Sequence, residues 1–467
     1  MGNKRIHPYF IIITSFVSVI LLGTIFLSLP WARDISIHNT KDFFREIVDS
    51  LFMSTSAVCV TGLGTISVAD FHLFGKIVMI ILMEIGGLSI ITIAVFFFTI
   101  LGARLGVSNT FLLREALNQN SANGMVTLVK KIVVISFIIQ IVCAGINFVP
   151  LYHITNNDWK LSLEYSLFHS AASFNNAGFD IFGSTEPGGS MVGFASYNWE
   201  NIVINSTTIL MIVLGGIGFV VIDDILKNRR WKKFNLHTKI VLVSTFILIT
   251  IGTLLIKATA WKDMNWLQAL FTSVTCRTAG FTTYDMSRLS DYPGTYVIII
   301  FLMMVGASPC STGGGMKTTT IAIIFITVAH YARGKKSKVF RRSISESAMF
   351  KAFVLVAVAI GIVVVATFSV AVIETGLHNK SINMENVLFE VVSAFSTTGL
   401  TMGITASLHI GSKLLLCLVM LFGRLGPLTI IGVVNKNWMA DYKEPIRYPE
   451  ENVIIGWKRL EKKVLWL

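Results

Sequence analysis

Four glycines, Gly62, Gly178, Gly280 and Gly399, each close one version of a single pattern. The stretches are SLFMSTSAVCVTGL ending at Leu63, SLFHSAASFNNAGF ending at Phe179, ALFTSVTCRTAGF ending at Phe281 and VLFEVVSAFSTTGL ending at Leu400. Each opens on Leu-Phe, runs through Ser, Thr and Ala, and reaches a glycine followed by Leu or Phe. The third copy is one residue shorter after Leu270-Phe271. The tripeptides Val60-Thr61-Gly62, Asn176-Ala177-Gly178, Thr278-Ala279-Gly280 and Thr397-Thr398-Gly399 hold no carboxylate. That argues against a ring of Asp or Glu selecting divalent ions. What these residues offer is main chain. Glycine permits positive φ and a close approach of backbone, and a ring of carbonyls can replace the hydration shell of a cation. Loops that merely pack helices would leave four copies in step, about every 100–120 residues, without a reason.

Other residues could act on the same path. The stretch GASPCSTGGGMKTTT, residues 306–320, interrupts an apolar run with Pro309, Gly306, Gly313, Gly314 and Gly315, which disfavour helix. It is no phosphate-binding loop, because Met316 stands where that motif needs glycine. Lys317 in this stretch is a candidate pore-facing charge, the plainer reading being a lysine that reaches for the interface. Arg424 sits mid-span in LFGRLGP, where an arginine is expensive and faces a cavity or a partner. Arg277 precedes the third tripeptide and is expected to point away from the axis and pair with Glu390 or Glu84 behind it, since an unpaired buried charge is costly. His169 and Asn175 are read as packing or support. The glycines Gly86-Gly87, Gly215-Gly216 with Gly218, and Gly423 with Gly426 are read as close-packing positions.

The elements that must hold these residues follow from composition. The chain has 467 residues, 53% hydrophobic and only 14% charged, with a mean hydropathy of +0.70. Soluble domains carry about 25% charged residues, so most of this protein faces lipid. Membrane helices need about 20 apolar residues. Seven runs qualify, at 9–29, 77–101, 132–152, 202–222, 240–256, 352–373 and 414–434, and an eighth at 296–329 is broken by 306–320. The first is too long for the core of a secretory signal and reads as a retained span. Shorter apolar segments at 43–58, 161–174, 266–274 and 387–395 suit re-entrant half-helices. Five cysteines, scattered through apolar runs, form neither a disulfide framework nor a zinc motif.

The resulting fold class is an all-α membrane protein of four membrane–pore-loop–membrane repeats, eight spans and four half-helices, in pseudo-fourfold array around one pore. The repeats occupy 1–101, 102–226, 227–330 and 331–435, followed by a tail at 436–467. Irregular backbone at membrane depth survives only where it lines a cavity or is buried in protein. Charge orients the chain. The N-terminus, the loops at 102–131, 227–239 and 330–351 and the tail hold 26 of the 39 Lys and Arg. With Asp223 and Asp224 at the adjoining helix end, that side holds nine of the 26 acids, so it is +17 and the rest of the +13 chain is −4. The positive-inside rule places those segments and both termini in the cytoplasm. Alternation with spans makes topology a better explanation of the basic loop 227–239 than nucleic-acid binding.

With RTAGF at 277–281, NNAGF at 175–179 and TTGLTMG at 397–403, and with REALNQ at 114–119 and FNLHTK at 234–239 between them, the chain resembles the Ktr/Trk/HKT superfamily of potassium transporters, KtrB-type membrane subunits above all. The resemblance covers nearly the whole chain. It implies a potassium-conducting pore with the four tripeptides as selectivity filter, a glycine at all four positions going with potassium. It implies that 306–320 is an intramembrane gate under the filter and that Arg424 looks into the pore beside it. It further implies a homodimer on a cytoplasmic ring of KTN/RCK regulatory subunits, where ATP and ADP act. No cofactor is expected in this chain, K+ being cargo, and no nucleic acid; the remaining partner is membrane lipid. A sodium-coupled secondary transporter is the alternative, although such folds usually show two inverted repeats. A membrane enzyme lacks a catalytic set. The tail, with Trp457, Leu460, Val464 and Trp466 among basic residues, suits either an interfacial helix or a dimer contact.

Overall fold

The structure is a computed structural model that describes residues 8–34, 40–89, 92–93, 95–96, 125–183, 191–335, 337–376 and 382–426. The REALNQ motif, most of the loop 102–131 and the tail 436–467 lie outside the described residues. In chain order the helices are α1 (Pro8–Leu27), α2 (Thr40–Cys59), α3 (Leu73–Leu88), α4 (Met125–Ile154), α5 (Trp159–Phe174), α6 (Trp199–Gly216), α7 (Phe219–Asn228), α8 (Leu236–Thr259), α9 (Trp266–Thr275), α10 (Pro293–Met304), α11 (Thr318–Ala332), α12 (Glu346–Gly376), α13 (Met384–Ser396) and α14 (Ile410–Leu425). A two-stranded hairpin, β1 (Lys338–Val339) with β2 (Arg342–Ser343), joins α11 to α12.

Among the described residues, α1, α4, α8 and α12 are each long and apolar enough to cross a membrane. Their outer faces stay apolar, with Leu21 and Ile25 on α1, Ile141 on α4, Phe246 on α8 and Phe368 on α12 all exposed. A helix that is apolar all round suits lipid outside and protein inside. Each of these helices packs against the short helix that follows it: α1 on α2, α4 on α5, α8 on α9 and α12 on α13.

The four short helices coincide with the segments expected as half-helices. Local chemistry starts two of them. Asp158 caps α5 by accepting from the Lys160 and Leu161 amides, and Asn265 with Gln268 forms a capping box on α9. The phenylalanine of each Leu-Phe pair, Phe52, Phe168, Phe271 and Phe389, is buried in the core and fixes the rotation of its helix.

The helices that follow the loops do not run straight, and here the expectation of continuous spans is corrected. The run 202–222 is two helices: α6 and α7 meet at 92°. Gly218 adopts φ +95° between them, and the Phe219 amide leaves the helix to donate to the Cys310 carbonyl at 2.8 Å. The helices inside 77–101 and 414–434 stop at Leu88 and Leu425, against Ser89 at φ +74° and Gly426 at φ +81°. The packing role expected of the glycines holds at Gly86, Gly215 and Gly423 but not at Gly426, where nothing among the described residues lies within 4 Å of a Cβ. A Cβ on Gly86, Gly215 or Gly423 would fall 2.0, 2.0 or 1.9 Å from the carbonyl oxygen of Val58, Phe174 or Phe395, at the ends of α2, α5 and α13.

Contacts between consecutive units close on themselves. The short helix of each unit leans on a helix of the unit before it: α5 on α3, α9 on α6, α13 on α10, and α2 on α14. A polar clip marks each joint. Lys76 on α3 pairs with Glu164 on α5 at 2.6 Å, and Asn265 at the start of α9 donates to the Ala195 carbonyl at 2.9 Å. The Tyr296 hydroxyl on α10 donates to the Glu385 carbonyl at 2.8 Å. Lys413 on α14 pairs with Asp49 on α2 at 2.8 Å, with both side chains buried. Removing one partner of such a buried pair costs about 3–5 kcal/mol.

Candidate functional site

The site grows out of the ends of the four short helices. Three of them finish in the same turn. Val60, Asn176 and Thr397 take left-handed φ of 56°, 57° and 50°. Their amides donate to the carbonyls of Ala57, Ser173 and Ala394, and the next amides, of Thr61, Ala177 and Thr398, reach back five residues to Ser56, Ala172 and Ser393 at 2.8–2.9 Å. This pair of bonds is the Schellman arrangement, whose left-handed position is usually glycine. Here β-branched Val60 and Thr397 occupy it, a strained placement worth about 1–3 kcal/mol each and characteristic of functional loops. The third copy, shorter by one residue, turns more tightly: Ala279 donates to Thr275 at 2.9 Å, and Thr278 carries φ +79°.

Two residues on, the glycines form a ring. Gly62, Gly178, Gly280 and Gly399 all have positive φ, at 94°, 66°, 81° and 89°. A Cβ on Gly62 would meet the Ala177 carbonyl oxygen at 2.5 Å, and one on Gly178 would meet that of Ala279 at 2.4 Å. One on Gly280 would meet the Thr398 oxygen at 2.3 Å, and one on Gly399 the Thr61 oxygen at 2.2 Å. Each loop thus touches the next, and the fourth returns to the first. The expected tripeptides are all brought together, and side chains at the glycines are excluded by contact with neighbouring carbonyls.

Flanking residues hold the ring. Ser56 and Ser393 hydroxyls accept from the Gly62 and Gly399 amides at 3.0 and 3.1 Å, and Thr275 donates to the Phe281 carbonyl at 2.7 Å. Leu63, Phe179, Phe281 and Leu400, the apolar residues after the glycines, are all buried and pin the exit of each loop. The short helices end at the ring, so the negative ends of four helix dipoles, about half a charge each, converge there and favour a cation. Beyond the second glycine, Asp180 accepts from the Phe182 and Met191 amides at 2.8 and 2.5 Å. Burial pushes its carboxyl up to about 6, against the pull of those two bonds.

Residues 305–317, between α10 and α11, lie directly against this ring. A Cβ on Gly313 would fall 2.1 Å from the Thr278 hydroxyl, and one on Gly314 2.5 Å from that of Thr397. Gly315 at φ +66° abuts Ser396, and Gly306 abuts the Gly314 carbonyl. The segment makes little regular structure of its own beyond a bridge between Val305 and Met316. It borrows partners instead: Ser308 and Thr312 amides donate to Gly216 and Gly215 at 3.0 and 3.2 Å, and Gly315 donates to Gly423 at 3.2 Å. The Gly314 amide donates to Thr397 Oγ1 at 3.0 Å. Lys317 turns back on its own segment, its Nζ 2.9 Å from the Gly313 carbonyl. Arg424 donates to the Thr312 carbonyl and, on its other side, to the carbonyls of Gly86 and Gly87, the latter at 3.1 Å.

One expectation is overturned. Arg277 and Glu390 do not meet, and no ion pair joins Arg277 to any carboxylate among the described residues. Its guanidinium reaches Thr245 on α8 at 3.4 Å. Glu390 is occupied by the Thr401 and Thr405 hydroxyls of its own loop, and Glu84 by Asn175 at 2.8 Å. Glu390 therefore braces the exit of the fourth loop without a cation. His169 packs among Phe182 and Phe281 and bonds Thr208 at 2.7 Å, in keeping with a supporting role. The buried pair Lys413–Asp49 went unremarked in the sequence because nothing local brings together residues 364 positions apart.

With that geometry in view, comparison with known proteins gives the family. Residues 7–438 match the TrkH family model, described as cation transport protein. The chain belongs to that family. TrkH members are transporters of cations, not enzymes, and the chain is a multi-pass membrane protein, mostly helical. It is 34% identical over 467 residues to "Ktr system potassium uptake protein B" of Bacillus subtilis, covering 97% of each chain. It is also 34% identical over 471 residues to "Potassium/sodium uptake protein NtpJ" of Enterococcus hirae, covering 97% of this chain and 98% of that one. The crystal structure of the potassium transporter TrkH from Vibrio parahaemolyticus superposes with a TM-score of 0.69 at 19% identity, over 94% of this chain and 87% of that one, and so shares the fold.

Proposed function

We propose that this chain is the potassium-translocating pore subunit of a K+ uptake system. Four membrane–pore-loop–membrane repeats, at 1–101, 102–226, 227–330 and 331–435, surround one axis with eight spans, and both termini face the cytoplasm. The carbonyls of Val60, Thr61, Asn176, Ala177, Thr278, Ala279, Thr397 and Thr398, with the four glycines, coordinate the dehydrated ion. The observation that carries this reading is the closed sequence of contacts from Gly62 through Gly178 and Gly280 to Gly399 and back. Only main-chain oxygens and small groups face one another there, which suits a monovalent cation stripped of water.

Residues 306–317 form the gate. The segment is held by separate hydrogen bonds to two neighbouring units, the second and the fourth, so it can move aside without unwinding a packed helix. Arg424 and Lys317 hold it in the closed position and set a positive barrier beneath the filter. The names of the relatives, a potassium uptake system and a potassium/sodium uptake protein, support K+ as cargo with sodium as the competing or coupled ion. The resemblance supports a homodimer docked on a cytoplasmic KTN/RCK-type ring that binds ATP and ADP.

The test is rescue of a potassium-import-deficient cell at low external K+, with and without a co-expressed regulatory subunit. Growth together with saturable 86Rb+ uptake is expected. Membrane-inserted protein that restores neither, or solute uptake that requires sodium and no K+ flux, contradicts the reading.

A further inference from the structure

Glu84 is a buried acid in a membrane helix with no ion-pair partner among the described residues, and no step above uses it. It lies on the last turn of α3, and its surroundings are specific. Its Oε1 accepts from Asn175 Nδ2 at 2.8 Å, and the same Asn175 amide also donates to the Ala171 carbonyl at 3.0 Å. Asn175 is the residue at the end of α5, immediately before the left-handed turn at Asn176 that launches the second filter loop. Gly87 makes room for it, since a Cβ there would fall 2.1 Å from Asn175 Oδ1.

The same turn of α3 has a second attachment. The carbonyls of Gly86 and Gly87 accept from Arg424, whose other amino group donates to Thr312 in the segment under the filter. A continuous polar chain therefore runs from Thr312 through Arg424 to the end of α3, and from Glu84 through Asn175 to the second loop. A lone buried carboxylate is expensive, and packing alone would be served by Leu, so what the position supplies is the acceptor oxygen that holds Asn175.

We propose that Glu84 is a positioning residue for the second filter loop, and that through the last turn of α3 it couples that loop's geometry, and so the pore's K+/Na+ preference, to the Arg424-held gate. This rests on the pore reading above. Wild-type rescue and 86Rb+ uptake are measured first, so that loss of the pore reading and loss of this coupling give different results. In proteoliposomes, Glu84→Ala is expected to lower the K+ over Na+ preference on the order of 5-fold, the low end of typical intersite coupling. KM for K+ should shift more than the maximal rate, and Glu84→Gln, which keeps an acceptor oxygen for Asn175, should recover most of the preference. Glu84→Asp, shorter by one methylene, gives a second reading if the alanine variant does not insert. Combined with Arg424→Ala, the loss should be non-additive, because either change frees the same helix end. Unchanged preference in an inserted Glu84→Ala or Glu84→Asp protein, equal losses for Glu84→Gln and Glu84→Ala, or strict additivity with Arg424→Ala would overturn the proposal.

Discussion

The ring of four loops and the segment beneath it are both irregular backbone inside a membrane protein, yet they are held in opposite ways. Three loops of the ring are fixed from their own short helices by the same turn and the third by a tighter one, and each is then held by van der Waals contact with the next loop. Residues 306–317 occur once, carry little secondary structure and depend on partners donated by other units. On the proposed reading, the part that coordinates the ion on every passage is built by repetition, and the part that leaves the path is built from bonds that break one at a time.

That contrast can be broken by substitution. The largest effect is expected in the ring. Gly178→Ala puts a Cβ 2.4 Å from the Ala279 carbonyl at a residue with φ +66°, and 86Rb+ uptake per inserted protein should fall to background. Gly145→Ala, where nothing lies within 4 Å, should transport like wild type and serves as the control. Retained uptake in Gly178→Ala would mean the ring is not the tight point of the path.

The segment should respond in the other direction. Arg424→Ala removes a half-buried cation and its bonds to Thr312, Gly86 and Gly87, so the initial uptake rate should rise. Each hydrogen bond to a charged group is worth about 1.5–3 kcal/mol, and about 1.4 kcal/mol off a barrier is tenfold in rate. A rise of about tenfold is therefore reasonable for one such bond, and unchanged flux in a folded protein would remove the gate reading. Lys317→Met loses one bond, to Gly313, and should shift the rate the same way by less than Arg424→Ala. A larger rise than for Arg424→Ala would reverse the ranking of the two cations.

Much of the ring was legible in the sequence because repetition makes weak signals additive. The Leu-Phe pair marks the buried phenylalanines, and the glycine followed by Leu or Phe marks the turn and its pinned exit, four times over. The one-residue deletion in the third copy was visible too, although its consequence, a tighter turn at Thr278, was not. The breaks after the loops were missed because glycine in an apolar run reads as a packing residue. Gly215 is one, while Gly218, three positions on, is a hinge between helices at 92°. The expected carboxylate partner of Arg277 is absent among the described residues: sequence shows which acids exist and not which hydroxyls already hold them. Thr401 and Thr405 claim Glu390 from within its own loop. Long-range pairs such as Lys413–Asp49 needed the closed arrangement before they could be seen at all.

The central claim is that the four loops hold the transported ion by their main chain. Anomalous diffraction from crystals soaked in Rb+ tests it most directly. Density is expected on the axis, enclosed by the carbonyls of Val60-Thr61, Asn176-Ala177, Thr278-Ala279 and Thr397-Thr398 and displaced by excess K+. Rb+ density confined to another part of the protein, with none between these loops, would contradict it.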